Sequence, residues 1–265
     1  MLRTRLATAL VAIPALWLIV WQLWSPAFAG FILLVTGVAV AEYAAMALPG
    51  HPRYRVLAVC MGVVVAAGVM KGPPWTSAAL AAALVVGMLH PLRPGVALGP
   101  AVQRLGVWWL GVTYLGFLLP HVVLLRESSP DGWRWLLFAI FVTMGSDTGG
   151  YFGGRLWGRR KLLPGVSPAK TIEGAVSSVL GAAVVAVLCG LFVIPPLGGI
   201  EAIGLAAIVS VLAQLGDLGE SALKRAFGVK DSGWIIPGHG GILDRLDSLL
   251  LPFVFLYHYV ALTGI

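Results

Sequence analysis

The stretch Ser221–Asp247, SALKRAFGVKDSGWIIPGHGGILDRLD, separates two long apolar runs in the second half of the chain. It is rich in charged side chains, although charged residues make up only 11% of the 265-residue sequence. Its centre, Pro-Gly-His-Gly-Gly, is incompatible with regular helix, because proline lacks a donor and glycine is conformationally loose. A charged, glycine-rich turn near a membrane is costly unless it has a function. We call residues 221–247 the motif segment.

The apolar runs beside the motif segment belong to a series of about nine, each about as long as a bilayer-spanning helix. The chain is 59% hydrophobic, which lies outside the range of soluble domains. The sequence therefore predicts an all-α, polytopic integral membrane protein. The predicted spans are residues 6–24, 27–48, 56–70, 75–89, 105–125, 133–152, 175–194, 200–218 and 249–262.

The first apolar run also resembles a signal peptide, since Ala27-Phe28-Ala29 resembles a cleavage site. The run is long and rich in tryptophan, which favours an uncleaved span. We divide the chain into residues 1–125, with five spans, and residues 126–265, a catalytic region with four spans and two loops that carry motifs.

The net charge of +7 is distributed as in a membrane protein rather than a nucleic-acid-binding protein. With a cytoplasmic amino end, all 18 Lys and Arg residues except Lys71, Arg126 and Arg134 fall on the cytoplasmic side. The positive-inside rule therefore predicts a cytoplasmic amino end and places both motif-bearing loops in the cytoplasm. No nucleic-acid partner is expected.

The two helices that flank the motif segment carry acidic residues on one face each. The incoming helix has polar residues at offsets of three, four and seven: Asp217, Glu220, Ser221 and Lys224. The outgoing helix opens with Asp244, Arg245, Asp247 and Ser248. A hairpin that joins these helices would set Asp217 opposite Asp244. Two facing carboxylates repel unless a cation lies between them, and oxygen ligands without clustered His or Cys suit Mg²⁺.

Basic residues in the same segment would bind phosphate oxygens. They are Lys224, Arg225, Lys230 and Arg245. The turn Gly238–Gly241 precedes a helix, so we expect free amides that favour an anion, while His239 has either a chemical role or only a hydrogen bond within the loop. Acidic metal ligands beside basic phosphate ligands indicate phosphoryl or nucleotidyl transfer.

A second polar stretch, Ser146–Gly174, contains Asp147 late in a predicted span, where an ionisable residue is a functional candidate. The glycines after it, among them Gly149 and Gly153, have the spacing of close helix packing. Residues 167–171, Ser-Pro-Ala-Lys-Thr, are typical of a helix start, with Glu173 in the first turn and Lys170 able to contact phosphate.

The motif segment resembles the signature of the phosphatidate cytidylyltransferase (CDP-diacylglycerol synthase) family. The shared pattern runs S-x-L-K-R-x4-K-D-x-G-x2-I-P-x-H-G-G-I-x-D-R-L-D from Ser221 to Asp247. Asp147-Thr-Gly-Gly-Tyr151, Gly154-Arg155, Gly158 and Ser167–Gly174 also resemble that family. Gly150, Arg159 and Ala169 stand where the family pattern has Ala, Lys and Lys. The matching residues cover roughly Asp147 to Asp247, and the first half of the chain matches only in hydropathy and size.

The resemblance implies synthesis of CDP-diacylglycerol and pyrophosphate from CTP and phosphatidic acid, with Mg²⁺ and a possible K⁺, in a homodimer of the bacterial inner membrane. The expected metal ligands are Asp217 and Asp244. The expected catalytic residues are these two aspartates with Lys224, Arg225, His239 and Asp247. The expected substrate and phosphate contacts come from Asp147, Arg155, Ser167, Lys170, Ser221, Lys230, Gly240, Gly241 and Arg245.

Two alternatives remain open from the residues. One is an enzyme of the same architecture with another acceptor: a CTP-dependent polyprenol or phytol kinase, or a cytidylyltransferase for another lipid phosphate. The other is an ion-coupled transporter, because broken helices with carboxylates also occur in transporters. The transporter is disfavoured by the absence of a sequence repeat and by the crowding of polar residues in the second half.

Overall fold

The computed structural model describes residues 24–89, 91–92, 97–194, 197–235 and 240–264. Almost all regular structure in these residues is helical. The helices are α1 (Ser25–Ala47), α2 (Pro52–Lys71), α3 (Pro73–Met88), α4 (Leu98–Leu118), α5 (His121–Glu127), α6 (Gly132–Trp157), α7 (Ile172–Phe192), α8 (Gly199–Ala226) and α9 (Leu243–Thr263). Two short antiparallel strands, β1 (Lys161–Leu163) and β2 (Ser167–Thr171), join α6 to α7. The predicted all-α class is confirmed, with this hairpin added.

Proline and glycine set several helix boundaries. Helices α1, α2 and α3 each begin with proline in the first two positions, where the missing N–H is one of the helix's unpaired donors. A single residue, Gly72, separates α2 from α3 with a φ of 99°. That backbone region is open to glycine and strained for other residues. Consequently the chain reverses between two apolar helices without a longer loop.

Six described segments are long and apolar enough to cross a membrane. They are Ser25–Ala47, Pro52–Lys71, Leu98–Glu127, Ile172–Phe192, Gly199–Ala226 and Leu243–Thr263. The predicted count of nine spans is not confirmed. Residues 6–23 of the first predicted span lie outside the described residues, α3 is apolar but shorter, and α6 carries several polar residues. The predicted cytoplasmic amino end stays a prediction.

The chain forms two compact units. Unit 1 contains residues 1–124 and 231–244, and unit 2 contains residues 125–230 and 245–265. The functional division at residues 125 and 126 stays a prediction. In unit 1, α2 packs against α1, α3 and α4. The Tyr43 hydroxyl on α1 donates to the Val107 carbonyl at 2.9 Å, so the amino-terminal helices are joined by polar as well as apolar contacts.

Unit 2 is built around close packing of α6, α7 and α8. A Cβ atom on Gly149 would lie 3.0 Å from the Gly181 Cα, and one on Gly145 would lie 3.0 Å from the Gly181 carbonyl oxygen. The predicted packing role of the α6 glycines is confirmed, because small residues let two helix backbones approach. The hydroxyls of Ser146 and Ser210 lie 2.7 Å apart and connect α6 to α8.

The predicted helix start at Ser167 is wrong by several residues. Residues 167–171 form β2, and α7 begins at Ile172. The N-cap is Thr171, whose hydroxyl accepts a hydrogen bond from the Gly174 amide at 3.1 Å. Pro168 favours extended backbone before it, which suits a strand. The predicted first-turn position of Glu173 is confirmed, and its carboxylate accepts hydrogen bonds from the amides of Arg159 and Arg160.

Candidate active site

Unit 2 contains a cavity of about 470 Å³. Four predicted site residues line it: Asp147 and Arg155 from α6, Lys170 from β2 and Asp217 from α8. The glycines Gly150 and Gly154 line the same wall, and a Cβ atom on Gly154 would lie 3.2 Å from the Thr171 hydroxyl. The structure thus brings the upstream stretch Ser146–Gly174 and the carboxyl half of α8 to one cavity.

An ion pair crosses this cavity. The Lys170 ammonium contacts Oδ2 of Asp217, and the two side chains are 27% and 34% exposed. The Ser221 hydroxyl, one turn further along α8, donates to Oδ1 of the same aspartate at 3.4 Å. The Asp147 carboxylate interacts electrostatically with both Asp217 and Lys170. Acidic and basic groups therefore occupy one half-exposed site that is open to a charged ligand.

A second charged cluster of unit 2 is buried beside α8. The Glu220 side chain is fully buried, and its Oε2 accepts a hydrogen bond from the Lys224 ammonium at 2.7 Å. Its Oε1 has no hydrogen-bond partner among the described residues. Asp247 is 8% exposed and interacts electrostatically with Asp217 and Lys224. Sequence reasoning placed Glu220 on this face but gave it no role.

The loop residues of unit 1 surround two carboxylates. Oδ2 of Asp244 lies 3.0 Å from the Ser232 amide, 2.9 Å from the Ser232 hydroxyl and 2.8 Å from the Gly241 amide, and all three are donors. The carboxylate of Glu42, from α1, accepts hydrogen bonds from the amides of Ile242 and Leu243. The prediction of free amides in this turn is wrong for Gly241, because a nearby carboxylate takes its N–H.

Glu42 was missed as a site residue. The sequence signal was present, since a carboxylate inside an apolar span marks a functional candidate. From the sequence, Glu42 is expected only to pack against another helix, because its hydrogen-bond partners lie 190 to 201 residues away. No spacing pattern within α1 points to them.

The remaining predicted residues fall at different places. Arg225, Lys230 and Arg245 are exposed, and Nη1 of Arg225 donates to the Val229 carbonyl at 3.3 Å. Ser167 is half-buried on β2, and Gly240 has a φ of 83° next to Asp244. His239 lies outside the described residues. The predicted pairing of Asp217 with Asp244 joins a residue of unit 2 to one of unit 1, and it stays a prediction.

The described residues offer carboxylate oxygens to a hard cation such as Mg²⁺, but they do not form a complete set of ligands for it. The carboxylates of Asp147 and Asp217 line the cavity. Within the described ranges, no group of three or more His, Cys, Asp or Glu side chains is arranged to hold a metal. Mg²⁺ commonly takes one or two carboxylates, water and substrate phosphates, so these residues are compatible with it.

The family model described as "Cytidylyltransferase family" matches residues 3–263. The chain belongs to the cytidylyltransferase family. The match includes the amino-terminal helices, for which sequence analysis found similarity only in hydropathy and size.

Curated members of the family give a finer comparison. The chain is 42% identical over 160 residues to a phosphatidate cytidylyltransferase of Bacillus subtilis, covering 60% of each chain. It is 41% identical over 152 residues to one of Brucella suis, covering 57% of this chain and 56% of the other. It is 43% identical over 141 residues to one of Staphylococcus saprophyticus, covering 53% of each. The chain therefore spans between half and two thirds of the length of these relatives.

Proposed function

We propose that this protein transfers the cytidylyl group of CTP to phosphatidic acid and so forms CDP-diacylglycerol and pyrophosphate in phospholipid biosynthesis. The single observation that carries the proposal is the cavity of unit 2, where Asp147 and Asp217 stand with Lys170 and Arg155. Acidic residues beside basic ones suit a nucleotide that arrives with a divalent cation. We take phosphatidic acid as the acceptor because the similar proteins are phosphatidate cytidylyltransferases.

The reaction is an in-line displacement at the α-phosphorus of CTP. A phosphate oxygen of phosphatidic acid forms the new P–O bond, and the bond to the β-phosphate breaks, so pyrophosphate leaves with the electron pair. The attacking phosphate monoester is already anionic near pH 7, because its second pKa is about 6. A strong general base is therefore unnecessary, and positioning together with charge compensation supplies most of the rate.

The basic residues of the cavity would hold the phosphates. Lys170 and Arg155 face the cavity from β2 and α6, and we assign them to the oxygens of the β- and γ-phosphates, where negative charge increases as pyrophosphate departs. Asp217 and Asp244 would hold Mg²⁺, which when bound supplies positive charge to the phosphate oxygens. The apolar helices keep the acyl chains of the acceptor in the bilayer.

The cellular setting is part of the same proposal. The enzyme would act as a homodimer in the bacterial inner membrane with its site facing the cytoplasm, where CTP is present. The distribution of Lys and Arg between loops supports this orientation, because cytoplasmic loops carry the positive excess.

The test uses purified protein in lipid-detergent micelles with phosphatidic acid and CTP labelled at either the α- or the γ-phosphate. We expect Mg²⁺-dependent transfer of the α-label into lipid and release of the γ-label as pyrophosphate. Transfer of the γ-label into lipid would identify a lipid kinase and overturn the proposal. If only polyprenyl phosphate accepted the α-label, the acceptor assignment would be wrong. If no acceptor were labelled by folded protein, transport would be tested next.

A further inference from the structure

Glu42 is an acidic residue within the apolar helix α1, and its side chain is only 6% exposed. Its Oε1 accepts a hydrogen bond from the Ile242 amide at 3.0 Å, and its Oε2 accepts one from the Leu243 amide at 2.9 Å. A buried carboxylate is costly unless donors replace its hydration. Both oxygens of Glu42 therefore depend on the backbone at the start of α9.

The Leu243 amide belongs to the first turn of α9, and the Ile242 amide comes directly before it. The first four N–H groups of a helix lack intrahelical acceptors, and the positive end of the helix dipole favours a negative charge there. Helix ends are commonly capped by a residue close in sequence. At α9 the acceptor comes from a helix that lies about 200 residues earlier in the chain.

The loop backbone also approaches Glu42 too closely for side chains. A Cβ atom added at Gly233 would lie 2.6 Å from Oε1 of Glu42, and one added at Gly241 would lie 2.5 Å from Oε2. Real Cβ atoms essentially never show such distances. Gly233 is thus explained by contact with this carboxylate, and Gly241 by contact with this carboxylate and the Ser232 hydroxyl.

Ser232 connects Glu42 to Asp244. Its hydroxyl lies 2.9 Å from Oδ2 of Asp244 and 3.4 Å from Oε2 of Glu42, so its single proton is better placed for Asp244. Four backbone amides and this hydroxyl surround the two carboxylates, which offsets their mutual repulsion. The orientation of Asp244 is set by the same loop that Glu42 holds.

We infer that Glu42 is a positioning residue of the active site. It fixes the start of α9 and the loop before it, and so holds the Asp244 carboxylate in one orientation for its part in the reaction. The inference rests on the proposed function for its catalytic consequence, but the contact itself is independent of that function. It gives the amino-terminal helices a role in the site that the motif pattern alone does not show.

The first test is amide hydrogen exchange of the full-length protein in micelles, compared between the wild type and Glu42→Gln. The substituted amide turns an N–H₂ toward a backbone N–H, so at least one of the two hydrogen bonds is lost. We expect exchange at Ile242 and Leu243 to rise about tenfold or more, with α2 unchanged. Thr36→Ala is the matched control, because Thr36 is a fully buried polar residue of α1 whose hydroxyl donates to the Ile32 carbonyl within the same helix.

The second test measures turnover of the same variants as a function of Mg²⁺ concentration. We expect Glu42→Gln to lower kcat about tenfold or more and to raise the Mg²⁺ concentration for half-maximal rate, whereas Thr36→Ala changes neither. A residue that merely stabilises the fold would lower the amount of active protein without moving the Mg²⁺ dependence. If Glu42→Gln does not fold, Gly233→Ala disturbs the same contact from the loop side.

Each outcome separates the inference from the proposed function. Unchanged exchange at residues 242 and 243, or increased exchange with wild-type kcat and Mg²⁺ dependence, would overturn the positioning role. If the wild type showed no cytidylyl transfer, the proposed function would fail. The exchange result would still decide whether Glu42 holds the loop.

Discussion

The Lys170 ammonium on β2 pairs with the Asp217 carboxylate on α8 inside the cavity of unit 2. Both residues have expected roles in the reaction, one toward phosphate and one toward Mg²⁺. Because both side chains are about one third exposed, the pair contributes little to stability. A cation held by Asp217 would compete with Lys170, and the Lys170 ammonium would then be available to a phosphate oxygen.

Replacement of Lys170 tests this exchange of partners. We expect Lys170→Ala to lower kcat/KM for CTP about 10²- to 10³-fold, the cost typical of removing a group that stabilises developing charge. Lys170→Arg should retain part of the rate, and the exposed Lys161→Ala on β1 should behave as wild type. The measurement is steady-state turnover with labelled CTP. Wild-type kinetics in Lys170→Ala would rule out its assigned role.

Replacement of the two expected metal ligands tests the Mg²⁺ assignment. Asp217→Asn and Asp244→Asn remove one negative charge each with little change in size, so each should lower turnover by two orders of magnitude or more and weaken the Mg²⁺ dependence. Asp131→Asn is a control of the same chemistry, since Asp131 pairs with Arg134 next to α6. Near-normal turnover with unchanged Mg²⁺ dependence in either variant would show that the assignment is wrong.

The buried pair of Glu220 and Lys224 predicts an asymmetric effect on stability. Lys224→Met leaves the fully buried carboxylate of Glu220 without its cation, so it should lower the free energy of unfolding by about 3–5 kcal/mol. The double variant Glu220→Gln with Lys224→Met should recover part of that loss, because the buried charge of Glu220 is then removed, although the buried Asp247 remains beside it. Denaturant unfolding in detergent checks this. A double variant no more stable than Lys224→Met would contradict the pairing.

The contact between α6 and α7 predicts that small additions there are disruptive. Gly181→Ala places a methyl group against Gly149, and overpacking of this kind typically costs about 1–3 kcal/mol. Gly204→Ala on α8 is the control, because its added methyl group has no heavy atom within 4 Å. Thermal unfolding of the purified variants should show a lower midpoint for Gly181→Ala only. Equal midpoints for both variants would count against the packing described for unit 2.

Local patterns in the sequence predicted those features that depend on neighbouring residues. The common face of Asp217, Ser221 and Lys224 follows from helical spacing, and the structure has all three on α8. The close packing of Gly149 follows from small-residue spacing. Hydropathy found the apolar helices, but the predicted count of nine spans is not confirmed, because six of the described segments are long and apolar enough to cross a membrane.

Features that depend on distant residues were not predictable in this way. The N-cap at Thr171 rather than Ser167 depends on the pairing of β2 with β1. The occupation of the Gly241 amide depends on how the Asp244 side chain turns back on its own loop. The bonds of Glu42 depend on the tertiary fold, since nothing near residue 42 in the sequence is related to residues 242 and 243.

The bond between Glu42 and the start of α9 also constrains how the protein is made. Glu42 and the Ile242 amide lie 200 residues apart in the sequence, so the ribosome synthesises α1 long before the donors of these hydrogen bonds. Domains generally fold in the order of synthesis, and contacts of such separation form late. Until residues 242 and 243 emerge, the carboxylate of Glu42 lacks the two amides that bind it in the folded protein. Completion of the active-site loop is therefore among the last steps of biogenesis. In a nascent chain that ends before α9, helix α1 lacks the two amides that bind Glu42.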